Sequence, residues 1–222
     1  MKRCMNMEKD ILYNNKIYDW IYKIVNMIYV SFLWLVFCLP IVTIGASTTS
    51  LYYVVNKTIR HERGKIFQGF WHSFKLNFKQ STIVWLFFLL IYSIGAIDYL
   101  VLRSLNLNGK VQNIFVWLLL FFIVVVSMVA NYIFPYIARF ENRTSEIVKN
   151  SILIAVMSFG KSFVNVVLLA ITIIVSIFVP FFIAISPAIY MLFLNKSIEP
   201  VFERYMSSED LEKERNRNRN YS

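Results

Sequence analysis

Apolar positions along the chain gather into runs too long for the core helix of a soluble domain. Residues 81–102 carry one charge, Asp98, and residues 114–138 and 163–194 carry none. A helix advancing about 1.5 Å per residue crosses about 30 Å of hydrocarbon in roughly 20 residues, so each run is long enough to span a bilayer. The run 163–194 is long enough to cross and turn back, and Pro180 and Pro187 supply a break at which a tight hairpin could form. The opening run, 24–59, is interrupted between Pro40 and Gly45. Either 24–39 crosses and 46–59 returns, or one kinked helix crosses once. The pattern predicts an all-α fold: a polytopic transmembrane helical bundle of four to six spans, five or six being favoured. It divides into a basic N-terminal segment (1–23), one membrane domain (24–206) and a charged, flexible tail (207–222).

The interruption raises a chemical question. Pro40 removes an amide donor and frees the carbonyl of Val36, and in lipid an unmet backbone group costs several kcal/mol (roughly 2–7). Thr43, Gly45, Ser47, Thr48, Thr49 and Ser50 follow closely. Hydroxyls can serve freed carbonyls, and small residues let a neighbouring helix approach. Two readings follow: a helix break lining a cavity, joined there by the Pro180 and Pro187 break, or a kink that only packs against another helix.

Between the first two apolar regions, Phe67, Phe70, Trp71, Phe74 and Phe78 recur at helical spacing and gather within about 100° of arc. Lys75 and Lys79 flank this aromatic stripe. Such a helix can lie at the membrane interface, pack on the bundle, or grip a partner protein. Val148, Ile152, Ala155 and Phe159 repeat the pattern later, and laying 51–70 against 134–153 aligns Tyr53 with Tyr136 and Arg60 with Arg143. The chain thus reads as two span, surface helix, span units, about 31–102 and 114–185.

Charge sets the orientation. The net charge is +10, and the Lys and Arg residues fall five before Ile24, six from Lys57 to Lys79, two at Arg103 and Lys110, four from Arg139 to Lys161, and six from Lys196 to Arg219. Because cations remain on the cytoplasmic side, loop 103–113 is placed outside and loops 57–80 and 139–162 in the cytoplasm. The basic excess follows the loops and therefore speaks for a lipid bilayer as partner, not nucleic acid.

Motifs for chemistry are few. No GxxxxGK, HExxH or GxSxG spacing occurs, His61 and His72 lack metal-ligand spacing, and Cys4 and Cys38 are too far apart in character to suggest a site. The expectation is a protein that is not an enzyme, with no catalytic, cofactor-binding or metal residues. Asp98 lies near a span end, where water or headgroups reach it. Asn131 and Asn165 suit hydrogen bonding between helices.

The motifs at 39–45 (Leu-Pro-Ile-Val-Thr-Ile-Gly), 46–53 and 74–80 (Phe-Lys-Leu-Asn-Phe-Lys-Gln) resemble those of the YesL family of small bacterial integral membrane proteins, whose function is unknown. Ala46 is a departure, at a position where the resemblance leads one to expect proline or a similar small residue. The resemblance implies a bacterial plasma-membrane protein. It also implies an accessory role in carbohydrate uptake, since family members are often encoded beside sugar ABC importers, whose subunits become candidate partners. The alternative is a small stand-alone transporter or channel.

Overall fold

The computed structural model describes residues 2–60, 65–105, 109–140 and 142–205, with the side chains of 2–19 and 58–60 excepted. Seven helices follow one another: α1 (Lys2–Cys38), α2 (Ile44–Val54), α3 (Ile66–Ser104), α4 (Gly109–Arg139), α5 (Thr144–Met157), α6 (Phe159–Phe178) and α7 (Ser186–Tyr205). Short 3-10 turns at Ile41–Thr43 and Pro180–Ala184 separate α1 from α2 and α6 from α7, and a π turn, Val55–Arg60, extends α2. No strand occurs among the described residues, as an all-α bundle requires.

Among the described residues four helices are long and apolar enough to cross a membrane: Trp20–Cys38, Ile66–Ser104, Gly109–Arg139 and Phe159–Phe178. This is the lower bound of the expected number. The 11 residues of α2 rise about 16 Å, half the hydrocarbon thickness. The 20 residues of α7 carry Lys196, Glu199, Glu203 and Arg204, so these two elements are the ones that would bring the number to five or six. Large apolar side chains point away from the bundle: Ile114, Trp117, Leu118 and Phe121 on α4, and Ile173, Ile174, Ile177 and Phe178 on α6, are all exposed. An apolar exterior this extensive is stable only where the surrounding solvent is itself apolar.

Helices α3 and α4 form a hairpin. The hydroxyls of Tyr92 and Ser127 lie 3.1 Å apart, Gly95 sits against Leu119 and Ile123, and Gln112 donates to the Leu102 carbonyl across the turn at 3.1 Å. At the opposite end Gln80 of α3 donates to the Asn142 carbonyl at 2.9 Å. Helices α1 and α2 form a second hairpin, joined where Trp34 Nε1 donates to Thr48 Oγ1 at 3.3 Å. Because α1 also packs on the π turn, its N-terminal part heads back toward the end where α2 finishes. One end of the bundle therefore gathers the close of α2, the start of α3 and the close of α4 and α7. Lys65 and Arg139 lie at this end, while the close of α3 at Ser104 and the start of α4 at Gly109 lie at the other.

The core sits among α2, α3, α4 and α7, where Tyr52, Phe70, Tyr132, Ile133, Ile137, Leu194, Ile198 and Phe202 are fully buried. Small residues bring α2 and α3 together. A Cβ added at Gly45 would stand 2.5 Å from the Ser81 carbonyl oxygen and 2.6 Å from Trp85 Cβ, so only glycine permits this approach.

The two expected span, surface helix, span units are built differently: the 3-10 turn Ile41–Thr43 breaks the opening part of the first, whereas the unbroken α4 opens the second. In the first, the aromatic helix runs unbroken into the membrane span as the 39 residues of α3. In the second, Ser158 leaves helical geometry and separates α5 from α6. The expected tail, 207–222, lies outside the described residues.

Candidate functional site

The chemistry in this structure lies at the end of the bundle where the basic loops emerge. There α7 turns a carboxylate, Glu199, inward beside the buried Ile198, Val201 and Phe202. Its partner is Arg139, the last residue of α4, and both side chains are 6% exposed. Arg139 Nη1 donates to Glu199 Oε2. Tyr52 of α2 donates its hydroxyl to Glu199 Oε1 at 2.7 Å, and Asn56 of the π turn donates Nδ2 to the same oxygen at 3.0 Å. The π turn matters here, because widening the helix after Val54 directs Asn56 to α7 rather than around the regular helix. The guanidinium carbon lies 5.7 Å from each of the rings of Phe140 and Phe202, which supply cation–π attraction in place of water.

Both carboxylate oxygens are thus engaged, and the pair is electrically neutral. A paired, hydrogen-bonded ion is tolerable in an apolar interior, whereas either charge alone would be costly. The arrangement fastens α2, the π turn, α4 and α7 to one another. A second knot continues it: Asn142 and Asn150 both donate Nδ2 to Tyr136 Oη, at 3.1 and 3.0 Å, tying α5 to α4.

The residues singled out by sequence fall into three places. At the first break, Thr43 Oγ1 reaches the carbonyls of Phe37 and Pro40, the latter at 2.8 Å. The Val36 carbonyl accepts from Leu39 N at 3.3 Å. Thr48 accepts from Trp34; Thr49 bonds the Gly45 carbonyl at 3.0 Å and Ser81 Oγ at 2.9 Å; Ser50 bonds the Ala46 carbonyl at 2.8 Å. Ser47 is buried against the bundle. At this break α1 and α2 pack on α3. At the second break Pro180 opens a 3-10 turn that packs on α1, α6 and α7, and Pro187 sits in the first turn of α7, where a missing amide is harmless.

The aromatic stripe is split between two environments. Phe70 and Phe74 are buried, with the Phe37 ring 5.4 and 5.0 Å from theirs. Phe67, Trp71 and Phe78 remain exposed on the same helix, and Lys75 Nζ lies 5.4 Å from the Trp71 ring. Lys79, also exposed, stands on the flank of this outer strip. Asp98 is exposed, near the far end of α3. Sequence reading missed Glu199 and counted Arg139 only as a loop charge. The available signal was a carboxylate set among apolar residues spaced 194, 198, 201 and 202. Among the described residues no group of three His, Cys, Asp or Glu side chains is placed to hold a metal.

Residues 27–99 match the profile of a family described as "Protein of unknown function, DUF624". This stretch, about a third of the chain, is what is similar to that family. It takes in the first break, the aromatic stripe, Tyr52 and Asn56, while Arg139 and Glu199 lie beyond the matched residues. The match agrees with the resemblance to the YesL family, and the apolar helices are those of a multi-pass membrane protein. Neither the curated proteins nor the solved structures gave a match.

Proposed function

We propose that this protein is a non-enzymatic accessory component of the bacterial plasma membrane, whose basic end faces the cytoplasm and docks a partner. The outer half of the α3 stripe carries the reading. Phe67, Trp71 and Phe78 stay exposed while Phe70 and Phe74 on the same helix are committed to the core, and the flanking Lys75 and Lys79 suit an acidic surface. Sidedness rests on charge: the segments rich in Lys and Arg leave from one end of the bundle, and the far turn has only Arg103 and Lys110. The resemblance to the YesL family suggests that the partner is a subunit of a carbohydrate ABC importer.

Co-purification in mild detergent tests this. Importer subunits should be recovered with the wild type and lost when Phe67, Trp71 and Phe78 are changed to Ser. Equal recovery from the triple variant would remove the docking role of the stripe. A second reading, a small transporter acting alone, draws on the buried polar groups of α4 and α6. Substrate flux from the purified protein in liposomes would favour it over the accessory role.

A further inference from the structure

Beyond the exposed Lys161 in its first turn, helix α6 is apolar except for Ser162, Asn165, Thr172 and Ser176, which fall within about 80° of arc at 100° per residue. This polar face is turned into the bundle: Ser162 Oγ lies 3.2 Å from Tyr132 Oη of α4, and Ser176 Oγ lies 3.1 Å from Ser186 Oγ at the start of α7. The three hydroxyls also satisfy themselves on their own chain. Ser162 bonds the Ala155 carbonyl at 2.8 Å, Thr172 the Leu168 carbonyl at 2.7 Å, and Ser176 the Thr172 carbonyl at 2.8 Å.

Asn165 does neither. It is 1% exposed, and both Nδ2 and Oδ1 lack a protein partner. On α4, Asn131 accepts at Oδ1 from Tyr190 Oη at 2.7 Å, yet its Nδ2 is likewise buried without a protein partner. The two amides lie on helices that touch close to both of them. Asn131 adjoins Tyr132, Asn165 stands one turn beyond Ser162, and Tyr132 and Ser162 touch. A buried amide left unmet costs about 1–3 kcal/mol per group, and lipid offers nothing to meet it. Together the two side chains present two donors and one acceptor and carry no charge. That set suits a small neutral molecule able both to donate and to accept, and a water held by two to four polar partners is the ligand of that description.

We propose that Asn131 and Asn165 bind ordered water inside the α4–α6–α7 packing, forming an internal polar site in the membrane interior. A density map of the wild-type protein fine enough to resolve waters should show one within hydrogen-bond distance of both Asn165 and Asn131 Nδ2. A site of protein atoms alone would overturn the proposal. Stability gives an independent readout. Asn165→Leu should lower the melting temperature if water bridges the amides, and raise it if the amide is merely an unmet polar group. The loss should nearly vanish in an Asn131→Leu background and persist in a Tyr190→Phe background, which removes the direct bond but not the water. A rise in melting temperature, or equal losses in all backgrounds, would sink the proposal; if Asn165→Leu does not fold, the density map decides.

Discussion

Replacing Glu199 by Gln preserves volume and most hydrogen-bonding shape but leaves Arg139 charged, because a guanidinium does not release its proton in a protein. Arg139 would then sit 7% exposed beside two phenyl rings with no carboxylate. Breaking a buried ion pair on one side costs roughly 3–5 kcal/mol. The rings of Phe140 and Phe202 remain in both forms and so do not offset the change. For a chain of this size about 1 kcal/mol corresponds to roughly 2–4 °C, so the melting temperature should fall by roughly 6–20 °C. Tryptophan fluorescence during heating in detergent would measure it. Glu203→Gln, an exposed carboxylate on the same helix, serves as control and should shift by no more than about 2 °C, since surface substitutions stay within about 0.5 kcal/mol. The double variant Arg139→Met, Glu199→Gln removes the stranded charge and should recover most of the loss. Equal shifts for Glu199→Gln and Glu203→Gln, or no recovery in the double variant, would refute the view that this pair fastens the bundle.

Gly45→Ala forces a Cβ onto backbone and Cβ atoms that cannot yield. Separating α2 from α3 should cost about 1–3 kcal/mol, whereas Gly160→Ala, with open space around it, should be neutral or stabilising in the same thermal assay. Thr43→Val withdraws the hydroxyl from the Phe37 and Pro40 carbonyls and should destabilise by about 1–3 kcal/mol, measured against Thr43→Ser as the variant that keeps the bond. Phe70→Ala should cost about 3–5 kcal/mol as a cavity in the core, while Phe67→Ser, at a residue 48% exposed, should change melting far less and lower partner recovery.

Much of the architecture was legible because lipid imposes simple rules. Uninterrupted apolar runs announced α3, α4 and α6, and Pro180 marked the end of α6 to within two residues. The first break was harder: Pro40, Gly45 and the hydroxyl cluster identify an irregularity, but only the close contact with Ser81 and Trp85 distinguishes packing from a cavity. Periodicity gave the aromatic stripe its face without saying what lay opposite, so Phe70 and Phe78 looked equivalent although one is core and the other exposed. The ion pair escaped altogether. Arg139 and Glu199 stand 60 residues apart, and position beside a basic loop made Arg139 look like one more orientation charge. Asn131 and Asn165 looked alike as hydrogen-bonding residues, yet only Asn131 finds a protein partner.

Site-directed labelling in intact cells tests the central claim most directly, namely a membrane bundle whose two ends differ in charge because they face different compartments. In a background lacking Cys4 and Cys38, single cysteines would replace Ser104, Gln68 and Ser145, all exposed. A membrane-impermeant maleimide should label Ser104→Cys from outside, and Gln68→Cys and Ser145→Cys only after permeabilisation. Labelling of all three from one side, or the reverse pattern, would contradict the account.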